Sequence, residues 1–271
     1  MKIAVAGGTG FIGRALVSRL RERGDEVIVL RRGEVEPAEV IINLAGENVG
    51  KRWTLKRKAQ ILESRVKTTE ALVETHPRTL INASAVGFYG PRGDEILDES
   101  APPGSGFLAG VTRQWEAAAH GADDFARVVI FRFGVVLGPD GGALKQIMLP
   151  FRFGAGGPIG SGEQWMSWVD REDVIRAIEW AIDNPGVRGT YNITAPEPVR
   201  NRDFVRALGR AMHRPSIMPT PGFALRLVFG EMADEMLLGG QRVVPARATG
   251  EGFKFRYPTL DDSLTHILGR R

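Results

Sequence analysis

The sequence of 271 residues contains no cysteine, only four histidines and only three tyrosines. The absence of cysteine excludes disulfide bonds, thiolate metal ligands and a cysteine nucleophile. The histidines are scattered without the paired spacing of a zinc site, so we expect no metal. No stretch approaches the roughly 18 consecutive apolar residues of a membrane span, and residues 1–6 lack the regions of a signal peptide. We therefore expect a cytoplasmic protein without a membrane partner.

The charges are nearly balanced, with 36 Lys and Arg against 32 Asp and Glu and a formal net charge of +4. Residues 201–271 carry the excess, with 11 basic and 7 acidic side chains. These basic residues are not interleaved with aromatic side chains as in a nucleic-acid-binding stripe, so we expect no nucleic-acid partner. A hydrophobic fraction of 43% and a charged fraction of 25% are typical of a globular protein.

Short apolar runs alternate with longer amphipathic stretches along most of the chain. The apolar runs predict strands near residues 2–6, 27–30, 40–44, 80–84, 128–132 and 190–194. The amphipathic stretches predict helices from Phe11 to Gly24 and near 54–75, 107–120 and 172–183. This alternation predicts an α/β protein with a Rossmann-type, doubly wound and mostly parallel sheet. Pro215, Pro219 and Pro221 mark a change of pattern, so we expect a main domain over 1–212 and a small, mainly helical C-terminal cap over 213–271.

The connection between the second and third predicted strands is unusually short. Residues 31–39 alone separate them, whereas a crossover between parallel strands normally needs a dozen or more residues and a helix. The spacing predicts that one α/β unit of the first half is missing and that the pocket at this edge is more open than usual.

A glycine-rich turn directly follows the first strand and opens the first helix. Its residues are Gly7-Gly8-Thr9-Gly10-Phe11-Ile12-Gly13. Gly7 allows the tight turn, Gly10 lets backbone amides approach a pyrophosphate, and Gly13 lets the helix pack against the strand. The turn therefore predicts a dinucleotide site that includes Gly7, Thr9, Gly10, Phe11 and Ile12.

The end of the second strand indicates which dinucleotide is bound. An NAD site usually has an Asp or Glu there for the ribose 2′-hydroxyl, but this chain has Leu30-Arg31-Arg32-Gly33. Two guanidinium groups suit a 2′-phosphate, so we expect NADP in preference to NAD. The alternative is that Arg31 and Arg32 are merely the solvated end of a strand.

Further motifs resemble those of a known family. They are Asn43-Leu44-Ala45-Gly46-Glu47, Lys51-Arg52-Trp53, Ser84-Ala85-Val86-Gly87-Phe88-Tyr89-Gly90, residues 157–162, residues 192–201 and Gly239-Gly240-Gln241-Arg242. Together with the glycine-rich turn they resemble the atypical branch of the extended short-chain dehydrogenase/reductase superfamily that is labelled sugar-nucleotide epimerase family protein. The resemblance implies further cofactor contacts from Leu44, Ala45, Gly46, Ala83 and Ser84. It also implies substrate-side segments at about 134–170 and 190–201.

The chain departs from this superfamily at the catalytic positions. Members with known chemistry use Tyr-x-x-x-Lys, in which the Lys lowers the Tyr pKa, but no tyrosine here has a Lys four residues later. The resemblance places Leu108 and Thr112 at those two sites, with Arg65 and Ala85 where a helix Asn and a catalytic Ser are common. All four usual residues are therefore replaced.

Other residues are candidates for the missing roles, although ordinary packing or surface ion pairing is an alternative for each. The candidate catalytic residues are Tyr89 and Ser84. The candidate substrate-binding residues are Glu47, Arg52, Arg65 and Trp165.

The sequence thus predicts an NADP(H)-binding, epimerase- or reductase-like enzyme. Its substrate would be a small molecule with a hydroxyl or carbonyl group, such as a sugar nucleotide, and the protein would be a monomer or a homodimer. The alternative is a non-catalytic NADP-binding regulatory module, as the loss of the Tyr-x-x-x-Lys pair would produce.

Overall fold

A computed structural model describes residues 1–269, and within this range we number the strands β1–β12 and the α-helices α1–α9 in chain order. The strands are Lys2–Ala6, Glu26–Leu30, Val40–Asn43, Thr79–Ala85, Ile96–Leu97, Arg127–Phe133, Val135–Leu137, Trp165–Met166, Trp168–Asp170, Gly189–Ile193, Val199–Arg200 and Arg242–Val243. The α-helices are Phe11–Glu22, Leu55–Val73, Phe107–His120, Gly142–Arg152, Arg171–Asp183, Asn201–Met212, Gly222–Phe229, Ala246–Gly250 and Leu260–Leu268. A 3₁₀ turn at Val86–Tyr89 and a π-helix at Ala233–Leu238 complete the elements.

Six strands form one parallel sheet in the order β10-β6-β4-β3-β1-β2. Alternate residues of β1 are buried on opposite faces: Ile3 packs with α1 and α5, and Ala4 packs with α2 and α3. Because helices cover both faces, the central strands contain long apolar runs, such as residues 40–42 of β3 and 128–131 of β6. The predicted Rossmann-type, mostly parallel sheet is confirmed.

The short connection leaves β2 at the edge of the sheet. The chain passes from β2 to β3, on the other side of β1, through residues 31–39, which contain no helix. The predicted loss of one α/β unit is therefore confirmed. In a complete fold, a right-handed crossover from β2 to a further strand would place a helix beside α1. The described part of this chain has no helix there, and an open cavity of about 460 Å³ lies beside α1, lined by Gly8, Val17 and Val29, among others.

The parallel arrangement brings several loops to one edge of the sheet. The glycine-rich turn follows β1, Arg31 follows β2, Leu44 follows β3 and Val86 follows β4. Ligands of open α/β sheets bind outside the carboxyl ends of the strands, so these loops define the candidate site.

The described residues after 212 are mainly helical but pack in two separate places. Met232 and Leu237 pack with Trp53 and Ile61 near the first turns of α2 and α3, whereas α9 packs on α6. They also contribute β12, which pairs with β5. The division at residue 212 into a domain and a cap stays a prediction.

Glu235 of the π-helix fastens the C-terminal region to α3. Its two carboxylate oxygens accept hydrogen bonds from the backbone N–H groups of Phe107 and Leu108, at 2.7 and 2.9 Å. The first turn of α3 has no acidic residue and no side-chain cap of its own. A carboxylate at a helix N-terminus is stabilising, so a residue more than 120 positions later completes this helix.

Candidate functional site

The glycine-rich turn brings the N-terminus of α1 against the ends of β1 and β3. Gly7 has φ +78°, and a Cβ on it would lie 2.7 Å from the carbonyl carbon and oxygen of Leu44. A Cβ on Gly13 would lie 2.2 Å from the carbonyl oxygen of Gly7. Neither a side-chain cap nor an acidic residue occupies the first turn of α1. The turn therefore fits a pyrophosphate, which helix N-terminal amides bind.

We expect Gly13→Ala to abolish detectable NADPH binding, because the added methyl group would overlap the Gly7 carbonyl and force the turn open. Gly110 in α3 is a matched control, since a Cβ there meets nothing within 4 Å. Gly110→Ala should raise the free energy of unfolding by about 0.5–1 kcal/mol, because alanine is the better helix former. Fluorescence titration with NADPH measures both variants. Wild-type affinity in Gly13→Ala would show that the turn is not the cofactor site.

The predicted 2′-phosphate residues, Arg31 and Arg32, follow β2 and are exposed. Arg32 Nη1 lies 3.5 Å from a carboxylate oxygen of Glu47, whose other oxygen lies 3.0 Å from Arg57 Nη1. Glu47, a predicted substrate ligand, is thus held between two arginines at the Arg32 side of the site. A substrate contact from Glu47 would have to compete with both ion pairs.

Arg57 is a residue that sequence reasoning missed. It lies on the first turn of α2, pairs with Glu47 and donates to the carbonyl of Asn48. Its Nε is buried without a hydrogen-bond partner. Nothing in the sequence separates it from its basic neighbours Lys56 and Lys58, so only the fold identifies it.

Arg52, another predicted substrate ligand, contacts the C-terminal region. Its side chain is exposed, and Nη1 lies 3.5 Å from the carbonyl oxygen of Val228 in α7. This contact connects the loop before α2 to the C-terminal region. A substrate contact from Arg52 stays a prediction.

A buried polar network begins at the end of β4 and extends across the sheet. Ser84 donates to Glu116 Oε1 at 2.6 Å, and the Glu116 carboxylate accepts two bonds from Arg132, at 2.8 and 2.7 Å. Arg132 Nη1 donates to the Tyr89 hydroxyl at 2.9 Å, which donates to Asn192 Oδ1 at 2.8 Å. All five side chains belong to residues that are 5% exposed or less. The network therefore joins the two predicted catalytic residues.

Within this network the Tyr89 hydroxyl has no contact with solvent. The residue is 0% exposed, and burial raises the pKa of Tyr89. Both the donor and an acceptor position of the hydroxyl are already used, by Asn192 and Arg132. The structure therefore places Tyr89 where it can position other side chains, and its predicted proton exchange with a substrate would require an opening of the network.

Glu116 and Arg132 were not predicted, and Asn192 was predicted only as part of the segment 190–201. Arg132 had a signal in the sequence, because it is a charged residue inside the apolar strand run 128–133. Glu116 shares the buried face of α3 with Trp115, which a helical projection would have shown. Their bidentate pairing across 16 residues required the fold.

The positions predicted to correspond to the usual Tyr and Lys have no proton donor free for a substrate. Leu108 is apolar, and the Thr112 hydroxyl donates back to the carbonyl groups of Leu108 and Ala109. Arg65 of α2 directs its side chain toward α3, with its guanidinium against Gly46 and 5.1 Å from the ring centre of Trp115. Burial lowers the pKa of Arg65 to about 10.

The predicted substrate residue Trp165 is held by charged neighbours. Its Nε1 donates to Asp94 at 2.7 Å, and the guanidinium groups of Arg200 and Arg242 lie 4.2 and 4.4 Å from its ring centre. Cation–π contacts of this kind stabilise the ring position. A substrate contact from Trp165 stays a prediction.

Two possible site types are not found in the part of the chain that the structure describes. Residues 1–269 contain no cluster of His, Cys, Asp or Glu that could hold a metal ion. Within the same range, none of the helices combines the length and apolar character needed to cross a bilayer.

Two family models match different parts of the chain. Residues 3–39 and 34–194 match the NAD dependent epimerase/dehydratase family, and residues 220–267 match a domain of unknown function (DUF1731). Epimerase family protein Mb2239 of Mycobacterium bovis is 40% identical, over 99% of this chain and 98% of its own. Epimerase family protein SDR39U1 of Mus musculus is 39% identical, over 99% and 100%.

Solved structures agree with these relatives. The crystal structure of human epimerase family protein SDR39U1 (isoform 2) with NADPH superposes with a TM-score of 0.95, at 34% identity and over 100% of both chains. A UDP-glucose 4-epimerase from Thermotoga maritima has a TM-score of 0.82 over 99% of this chain and 98% of its own, but at 18% identity it shows the fold alone. The chain therefore belongs to the NAD-dependent epimerase/dehydratase family.

Proposed function

We propose that the protein binds NADP(H) in preference to NAD(H) and acts as a reductase- or epimerase-like enzyme on a small-molecule hydroxyl or carbonyl compound. The observation that carries this proposal is the combination of an anion-ready helix N-terminus with two exposed arginines, Arg31 and Arg32, directly after β2. The nearby Glu34 carboxylate is bound to the Arg31 backbone N–H, at 2.9 Å. The NADPH in the human relative supports it. We further propose that the protein works in the cytoplasm as a monomer or homodimer.

Each part of the cofactor has candidate partners along the sheet edge. The amides of Gly10, Phe11 and Ile12 would hold the pyrophosphate, with Gly7 and Thr9 shaping the turn. Arg31 and Arg32 would bind the 2′-phosphate as charged donors. The chain after β3, at Leu44, Ala45 and Gly46, and the end of β4, at Ala83 and Ser84, would line the remainder. Bound NADPH would supply a hydride for carbonyl reduction.

Ser84 and Tyr89 are proposed to act from the buried network. Glu116 fixes the Ser84 hydroxyl, and Arg132 neutralises Glu116. Ser84 is thereby held in one orientation at the end of β4. Tyr89 holds Arg132 from the opposite side, so we assign it a positioning role.

The proposal is tested by thermal shift with NADPH and NADH, followed by NADPH oxidation with aldehydes, ketones, 2-oxo acids and nucleotide sugars. Saturating NADPH at about 100 times its Kd should stabilise the protein by about 2.7 kcal/mol, and NADH at the same concentration should stabilise it less. Stabilisation by neither would contradict cofactor binding. Binding without oxidation by any compound would favour the non-catalytic regulatory module.

Tyr89→Phe separates the two roles of Tyr89 in the same assay. A positioning role predicts a loss of about 1–3 kcal/mol of unfolding free energy, because Arg132 and Asn192 each lose a buried partner. It also predicts unchanged NADPH affinity and a kcat within about tenfold of wild type, since a general acid would contribute about 10²–10⁴-fold. A fall in kcat of that larger size, with stability unchanged, would instead make Tyr89 a catalytic residue.

A further inference from the structure

Arg65 lies at the carboxyl edge of the sheet, on α2 and one helical turn before Thr69. Thr69 is buried and accepts a hydrogen bond from Asn43 at the end of β3. The Arg65 guanidinium reaches the chain that leaves β3, since a Cβ on Gly46 would lie 3.0 Å from its Cζ and Nη2. It is therefore placed between α2, α3 and a proposed cofactor-binding segment.

Most of the hydrogen-bonding capacity of Arg65 is unused. A guanidinium has five N–H donors, and in the described range Arg65 has one hydrogen bond, from Nη1 to the Ile61 carbonyl at 3.0 Å. None of its nitrogens is sealed from solvent without a partner. The unpartnered donors of this partly buried side chain are therefore in contact with solvent.

The charge of Arg65 is also not neutralised by an ion pair. No carboxylate oxygen of residues 1–269 lies within 4.0 Å of its nitrogens, and the carboxylate of Glu47 is shared by Arg32 and Arg57. Partial burial of a cation without an anion costs free energy, which an anionic ligand would offset.

Arg127 is a partly buried arginine with a structural role, and it serves as a comparison for Arg65. It too has no carboxylate partner in the described range, and burial lowers its pKa. Its Nη1, however, donates to the carbonyl groups of Ala181 and Val187 at 2.9 and 2.8 Å. Main-chain oxygens thus satisfy Arg127, whereas Arg65 has one such partner and open donors.

We propose that Arg65 is the receptor for an oxyanion, a carboxylate or phosphate, carried by a ligand of this site. A guanidinium binds both groups through two parallel hydrogen bonds. The oxyanion belongs either to a phosphate of NADP(H) or to the substrate, which would then be an anionic carbonyl or hydroxyl compound. This inference rests on the proposed function and names the chemistry that the same site recognises.

Three variants test it: Arg65→Met, Arg65→Lys and, as the matched control, Arg127→Met. For each, the melting temperature of the ligand-free protein, the Kd for NADPH, and stabilisation by oxalate and inorganic phosphate with and without NADPH are measured. Arg65→Met should keep or raise the melting temperature, because it removes an unpaired charge. Arg127→Met should lower it, because the Ala181 and Val187 carbonyls lose their donor. Arg65→Lys should recover part of the lost anion binding.

The measurements with NADPH, oxalate and phosphate distinguish the two sources of the oxyanion. A rise of about tenfold or more in the NADPH Kd of Arg65→Met identifies a cofactor phosphate. An NADPH Kd within about twofold of wild type, together with loss of the oxalate or phosphate effect, identifies the substrate anion. A lower melting temperature in Arg65→Met, or no change in any ligand arm, overturns the proposal. Failure of the wild type to bind NADPH contradicts the proposed function instead. In that case, stabilisation by oxalate or phosphate without NADPH still tests the role of Arg65.

Discussion

Replacing Arg31 and Arg32 together by alanine should weaken NADPH binding about 100-fold while NADH binding stays within about threefold of wild type. A hydrogen bond to a charged group contributes about 1.5–3 kcal/mol, and both side chains are exposed, so the lower end applies to each. NADH lacks the 2′-phosphate and should be nearly indifferent to the change. Fluorescence titration with each cofactor gives the two dissociation constants.

The control for this pair of substitutions removes a positive charge at the amino ends of the strands, opposite the candidate site. Arg78 directly precedes β4 and is exposed, so Arg78→Ala should change neither Kd by more than about twofold. Equal losses of NADPH and NADH affinity in the double variant would contradict the assignment of the arginines to the 2′-phosphate. Such a result would make them part of a general dinucleotide contact.

Glu116→Ala should lower the free energy of unfolding by about 3–5 kcal/mol, because Arg132 would stay buried without its carboxylate. Arg132 and Glu116 have side chains that are 6% and 7% exposed, and they form two bonds with each other. A loss of this size corresponds to a fall in melting temperature of about 10 °C for a protein of this length. Urea unfolding followed by circular dichroism measures the change.

Two further variants decide whether the effect comes from the unpaired charge. The double variant Glu116→Leu, Arg132→Met should be more stable than Glu116→Ala, because apolar side chains of similar volume leave no buried ion. Glu63→Ala should cost less than about 0.5 kcal/mol, since its ion pair with Lys67 is exposed. A double variant as unstable as Glu116→Ala would attribute the loss to packing.

The parts of the fold that were predictable from the sequence depend on local patterns. The alternation of strands and helices, the glycine-rich turn and the missing α/β unit each follow from residues that are close together in the chain. A nine-residue link excludes a crossover helix by length alone. The predicted cofactor segments likewise follow strands that the apolar runs had located.

The parts that were not predictable depend on contacts between distant residues. Glu47 meets Arg32 and Arg57, and Arg52 reaches Val228 across 176 positions. The periodicity of a helix indicates its buried face but not the side chain that this face meets. For the same reason Tyr89 was predicted from its place in a glycine-flanked turn, whereas the acceptor of its hydroxyl hydrogen bond is Asn192, 103 residues later.

The attachment of Glu235 to α3 also has a consequence for the order in which the protein is made. On the ribosome, α3 emerges well before residue 235. The amides of its first turn therefore have no carboxylate acceptor until most of the chain has been synthesised. Trp53 and Ile61 likewise lack their packing partners Met232 and Leu237 until then. The nascent chain therefore exposes the apolar side chains of this cluster until late in translation, a stage at which such surface favours aggregation and the binding of chaperones.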